Sequence, residues 1–162
     1  IHRNLEASLD VASLEPRTRA MSTYLLQEYF IPVRHFQAFA TRMAAILQHH
    51  RVDALNVSIR HAPADTTALM TWANEEVFCF VLYHKQRRLP WGDTMSTRWT
   101  RALIDAAVQC GGRYYLPYRP HATREQFQRA YPQWNAFVER KRQYDPKMQL
   151  VNHLWQRYLA AP

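Results

Sequence analysis

The stretch Gly111-Gly112-Arg113-Tyr114-Tyr115-Leu116-Pro117-Tyr118 decides how the rest of the chain is read. It follows an apolar helical run and holds two of the three glycines. A Gly-Gly pair ends a helix where a Cβ would clash with the reversing backbone, and the tyrosines can leave that turn as a short strand. Tyrosine offers a flat apolar face and a polar tip, which suits a pocket for a hydroxylated or ring-shaped ligand. The same composition also describes a strand that packs its aromatics into the core.

Upstream of this stretch, the mix of Tyr, Leu, Phe and Ile from Thr23 to Ile31 reads as a strand that Pro32 stops. Phe36, Phe39, Ala40, Met43, Ile46 and Leu47 recur at helical spacing, which predicts a helix running to about His50. Ala54 to His61 then alternates: Leu55, Val57, Ile59 and His61 share one face, expected in the core, and Asn56, Ser58 and Arg60 share a polar one. Val77 to Tyr83 is apolar on both faces, as a strand inside a sheet should be, and a polar crossing follows from Arg87 to Trp91. Asp93 or Thr94 can cap a helix that carries Trp99, Leu103, Ala106, Ala107 and Cys110 along one side. The order of these elements predicts an α+β fold, a ferredoxin-like antiparallel sheet (βαββαβ) backed by helices.

Downstream lies a helical tail over 123–159. Thr123 and Gln126 have the spacing of a capping box and open a helix around Phe127 and Ala130. Pro132 lets a second helix begin with Trp134, Phe137 and Val138 inward, and Asp145-Pro146 breaks it. A last helix is expected to carry Leu150, Leu154, Trp155 and Leu159.

At 162 residues, with 48% of them apolar, the chain can bury a core of its own. No apolar run approaches the ~20 residues of a membrane span. Two cysteines without repeat spacing give neither a disulfide framework nor a zinc signature, so a reduced, cytoplasmic setting is the default. The net charge of +8 raises nucleic acid as a partner. The arginines are scattered from Arg3 to Arg157 among acids, which describes a solvated surface instead.

No Gly-rich phosphate loop, serine nucleophile elbow or paired-carboxylate motif is present. His49-His50 and His121 lack a second ligand at metal spacing, so no metal site is expected. His61 and His84 lie on strands and could meet across the sheet. Asn56, Ser58 and Arg60 carry more information, because an arginine held on a rigid strand can clamp a hydroxyl, carboxylate or phosphate. The alternative is a face that is simply wet. Glu28, on the first strand, could pair with Arg60 if the two strands are neighbours.

The series Gln27-Glu28-Tyr29-Phe30-Ile31-Pro32, Leu55-Asn56-Val57-Ser58-Ile59-Arg60, Gly111-Gly112-Arg113-Tyr114-Tyr115 and Tyr144-Asp145-Pro146 resembles the C-terminal half of FAD-linked oxidoreductases of the vanillyl-alcohol-oxidase superfamily. The sugar-lactone and alditol oxidases and the decaprenylphosphoryl-ribose oxidase are the nearest in pattern. The resemblance covers roughly Ser22 to Leu159. It implies that 22–162 is a substrate or cap domain and that 1–21 is a linker or remnant of an upstream FAD-binding domain, a partner in the same polypeptide. The fragment alone would then be inactive, and its uncovered face would let it pair as a homodimer.

The resemblance also implies site residues. The lactone and alditol oxidases carry Glu-x-Arg on a cap strand, and Ser58 and Arg60 occupy those positions, so the arginine is kept and the acid is not. Asn56 lies on the same strand face. Tyr115 matches a pocket tyrosine of the ribose oxidase, and Tyr118 stands where that enzyme places a lysine against flavin and substrate. The His-Trp-Gly-Lys motif of the lactone oxidases is absent. The chemistry implied is hydride transfer from a C–H bond of an alcohol, sugar or sugar lactone to FAD, with Arg60 orienting substrate, Tyr115 and Tyr118 bonding substrate or flavin edge, and Arg113 bracing the turn. The competing readings are a stand-alone ferredoxin-like module that binds a small ligand or RNA, and a purely structural interaction domain.

Overall fold

The computed structural model describes residues 20–89 and 91–160. The linker or remnant expected over 1–21 lies almost wholly outside them. In chain order the elements are β1 (Ser22–Pro32), α1 (Phe36–His49), β2 (Asp53–Ala62), β3 (Val77–Arg87), α2 (Gly92–Gln109), β4 (Arg113–Tyr114), α3 (Arg124–Ala130) and α4 (Trp134–Tyr144). A short 3-10 turn at Val33–His35 precedes α1, and a single π-helical turn spans Trp155–Leu159.

The strands form one four-stranded sheet in the order β2-β3-β1-β4, every neighbouring pair antiparallel. Cα partners share a face of a sheet, so a few contacts orient all of it. Tyr29 and Phe80 pack on Phe39 of α1, and His84 packs on Trp99 of α2, which turns Tyr29, Phe80, Leu82 and His84 toward the helices. The main core forms there, from Ile31, Phe39, Leu82, Leu103, Phe127 and Tyr158 among others. Leu26, Glu28 and Phe30 point the opposite way, with Cys79, Val81 and Tyr83 beside them. On that open side a smaller cluster forms, where Trp72 from the β2–β3 connection lies over Phe30 at 4.5 Å between ring centroids.

The turn after α2 has the geometry its glycines require. Gly112 N–H bonds the Ala107 carbonyl at 2.8 Å and Gly111 N–H the Val108 carbonyl at 2.9 Å, the two bonds of a Schellman motif, with Gly111 at φ 70°. A Cβ on Gly112 would lie 2.5 Å from the Phe30 carbonyl oxygen and 2.8 Å from Ile31 Cδ1. The aromatic strand is shorter than the tyrosine run promised. It keeps Arg113 and Tyr114 in the ladder, gains one further bond from Tyr115 N–H to the Glu28 carbonyl at 2.9 Å, and ends before Pro117, which has no N–H to give.

Four other expectations are corrected. β2 is the edge strand, with Val57 38% and Ile59 46% exposed, so its apolar row is not core. A bulge between Ala54 and Asn56 also takes Leu55 out of the alternation. β3 runs to Arg87, four residues beyond Tyr83, because its far end pairs with Ser22–Leu25 of β1. Neither Asp93 nor Thr94 caps α2, whose N-cap is Trp91 without a side-chain bond. The last helix is only the π-helical turn, and Leu150 is 79% exposed. The Asp145 carboxylate explains this, since it accepts from the Gln149 and Leu150 amides at 2.9 Å each and from Lys141, holding the chain in a non-helical loop. The Thr123–Gln126 capping box is present in both its bonds.

The glycine turn makes a graded prediction. Gly111→Ala should cost about 1–2 kcal/mol, the penalty of a left-handed alanine. Gly112→Ala should cost more, because two elements must move to admit the methyl group. Urea unfolding of both variants checks the order, and equal losses would contradict it.

Candidate functional site

Two cross-strand rows set the open face. Arg60 is partnered by Cys79, Cys79 by Phe30 and Phe30 by Arg113; Ser58 is partnered by Val81 and Val81 by Glu28. Asn56 pairs with Tyr83 on the same face. Tyr115 continues the open side beyond β4, its ring edge-on to Phe30 at 6.1 Å and to Tyr118 at 4.9 Å. The face therefore collects Asn56, Ser58, Arg60, Glu28, Tyr115 and Tyr118.

Because β4 stops after Tyr114, the outer edge of β1 from Tyr24 to Glu28 has no strand beside it. The segment 115–121 curls past that edge and, with 152–154, encloses a cleft of about 600 Å³. Glu28, Tyr115, Tyr118, Tyr24 and Tyr83 line it, and the last two are stacked at 5.5 Å. At its inner wall Gln27 donates to the Thr100 hydroxyl at 2.7 Å and accepts from the Tyr29 hydroxyl. Asn56, Ser58 and Arg60 do not line the cleft; they occupy the adjoining sheet surface, two strands or roughly 10 Å across from β1.

The charges bind the two halves together. Burial raises the Glu28 carboxyl above its ordinary value and the Arg60 guanidinium pulls it back down. The Tyr118 phenol is raised by burial, by Glu28 and by Tyr115, again opposed by Arg60. Cys79, beneath the same pair, is pushed up to about 11 by burial and Glu28, so it stays a thiol. Arg113 is buried; it donates to the Thr71 carbonyl and lies 5.4 Å from the Tyr131 ring. It thus ties β4 to the connection that carries Trp72.

Two sequence expectations fail here. β3 separates Glu28 from Arg60, so they are not cross-strand partners, though each feels the other's field. His61 and His84 do not meet: His61 pairs with Glu76 at 2.7 Å, while His84 sits at the far end of the sheet against Trp99. Sequence reasoning also missed that Glu28 faces the cleft and that Trp72 covers Phe30. The alternation Leu26, Glu28, Phe30 in β1 carried the first signal; nothing local marks the second.

Residues 17–158 match the family model described as ALO, D-arabinono-1,4-lactone oxidase. The chain belongs to this family. It corresponds to the C-terminal region of FAD oxidases of the vanillyl-alcohol-oxidase type, a family of FAD-dependent sugar-lactone oxidases. A search of curated proteins found no match. Among the described residues of this ALO-family chain, no helix is long and apolar enough to cross a membrane.

Whether this region could hold FAD is tested by its glycines. Gly92 is pressed against the Arg87 carbonyl, Gly112 against that of Phe30, and Gly111 ends a helix. Neither Gly92 nor Gly112 is free to let backbone approach a pyrophosphate, and no Gly-rich phosphate loop is formed with Gly111. The open face presents the Tyr115 and Tyr118 phenols and the Arg60 guanidinium.

The raised Glu28 carboxyl has a consequence for stability. Its folded value lies above its unfolded one, so the ionised form is penalised on folding and stability is lost as pH rises through the folded value. Glu28→Gln should unfold at higher urea than the parent at neutral pH, and the gap should close below the ordinary glutamate value of 4.5. A gap that persists in acid would show that the carboxyl is not the cause.

Proposed function

We propose that this chain is the substrate-covering part of an FAD-dependent oxidoreductase that oxidises an alcohol, sugar or sugar-lactone C–H bond by hydride transfer to the flavin. The observation that carries the reading is the gathering of Arg60, Glu28, Tyr115 and Tyr118 on the sheet face turned away from the helices, in a chain that belongs to the ALO family. The strand order supports assigning residues 22–162 to a ferredoxin-like cap domain with its helical tail over 123–159. The cofactor would be held mainly by an FAD-binding domain of the same polypeptide, consistent with Gly92 and Gly112 being engaged in packing and Gly111 in a helix-ending turn.

Each side chain has a role within that reading. Arg60, on a strand supported by β3, orients a substrate hydroxyl or anionic group. Ser58 and Asn56, on the same strand face, offer hydroxyl and amide partners to its polar substituents. Tyr115 and Tyr118 hydrogen-bond the substrate or the flavin edge with their phenols and present ring faces to the sugar carbons. Glu28 places an acceptor in the cleft, and its partial desolvation favours a neighbouring donor over bulk water. The Trp72–Phe30 cluster covers the part of the face next to Tyr115 and supports that ring. The FAD supplies the electron-accepting step when bound.

The intact flavoprotein tests this reading. Mixed anaerobically with sugar lactones and polyols, it should lose its oxidised-flavin absorbance, and Arg60→Ala should lower kcat/KM about tenfold, the worth of an oriented charged contact of ~1.5 kcal/mol. An unchanged kcat/KM would remove Arg60 from the site, and no bleaching with any alcohol substrate would remove the oxidase role.

A further inference from the structure

We infer that the cleft beside Glu28 takes a substrate with two unlike halves, a sugar or polyol at the Glu28 end and an aryl group at the Tyr24–Tyr83 end, as in an aryl glycoside. This substrate class rests on the oxidase reading of the same cleft. On the open side of β1 the side chains beyond Glu28 are Leu26 and then Tyr24, so the cleft follows the strand for four residues, roughly 13 Å. A single sugar ring is too short to fill that length. The cavity of about 600 Å³ is of the size that encloses ligands of several rings.

The two ends differ in what they offer. At one end stand the Glu28 carboxyl and the Tyr115 and Tyr118 phenols, with Arg60 near enough for its charge to act on both Glu28 and Tyr118. At the other, Leu26 is 40% exposed and is the Cα partner of Tyr83. Tyr83 and Tyr24 are half-buried and lie close to parallel, 5.5 Å apart at an interplanar angle of 27°. Leu116 and Leu154 complete this end. The polar side chains along the same walls are engaged within the protein. Gln27 is held by Thr100 and Tyr29, and His121 is bonded to Thr97 at 2.9 Å. Arg119 pairs with Asp93 at 2.7 Å, and the Asn152 side chain accepts from the Trp155 amide at 2.9 Å. His153 stands exposed at the rim. A second sugar placed there would lose water from its hydroxyls and find few groups to replace it. An aryl group gives up only apolar surface and gains ring contacts, and a planar guest matches the near-parallel rings better than a flexible alkyl chain does.

Calorimetry on the intact flavoprotein, with its flavin chemically reduced so that nothing turns over, tests the assignment. The probes are the phenyl, hexyl and methyl glycosides of glucose and of arabinose. For at least one sugar the phenyl compound should bind about fivefold or more tightly than the methyl compound, and more tightly than the hexyl one. Tyr24→Leu and Tyr83→Leu keep apolar bulk and remove the rings. They should bring the phenyl affinity down to that of the hexyl compound and leave the methyl glycoside unchanged; should either variant fail to fold, the preference of the parent decides. Phenyl binding no tighter than methyl or hexyl in both sugar series, or parent-like phenyl binding in both leucine variants, would overturn the proposal. Flavin bleaching by sugar lactones without a phenyl preference removes the aryl site and leaves the oxidase reading standing. A phenyl preference without bleaching by any substrate does the reverse.

Discussion

The absence of a side chain at Gly112 is the constraint on which the architecture turns. The α-carbon there approaches the Phe30 carbonyl and the Ala107 carbonyl so closely that a methyl group would meet both, together with Ile31. Helix α2, the central strand β1 and the start of β4 are therefore brought together at a single point. From there the chain can enter the sheet beside Tyr29 and Phe30. The same turn fixes which tyrosine goes where: Tyr114 is buried toward the helices, with its carbonyl accepting from the Tyr131 hydroxyl, and Tyr115 passes to the open side.

A short β4 has two effects that belong together. It leaves much of one edge of β1 without a strand neighbour, a feature that costs backbone hydrogen bonding, and it frees residues 115–121 to form a wall. The cleft is the space between the two. Glu28 shows a similar trade: lining the cleft leaves its carboxyl partly removed from water, which is a burden on folding.

Much of this was legible in the chain because it rests on short-range chemistry. The capping box at Thr123, the Gly-Gly turn and the outward row Asn56, Ser58, Arg60 follow from residue type and spacing alone. What escaped depends on partners distant in sequence. The length of β3 was set by its long pairing with β1, not by its own polar end at Lys85 to Arg87. Whether Val57 and Ile59 are core depends on which strand lies outermost, which alternation does not encode. The loop that replaces the last helix comes from one carboxylate, Asp145, collecting donors from several residues further on. For the site, Arg60 and the tyrosines were visible as types, whereas the approach of Glu28 to them required the strand order.

The bulge between Ala54 and Asn56 lies on the β2 side of the ladder, just ahead of the polar row. In an uninterrupted strand, gain or loss of a single residue upstream would reverse every side chain that follows. Here the irregularity already absorbs one unmatched residue, while the pairing from Asn56 to Ala62 is fixed independently by β3. Arg60 therefore stays on the open side of the sheet although β2 carries one residue more than its partner between the Ala54–His84 and Asn56–Tyr83 pairs.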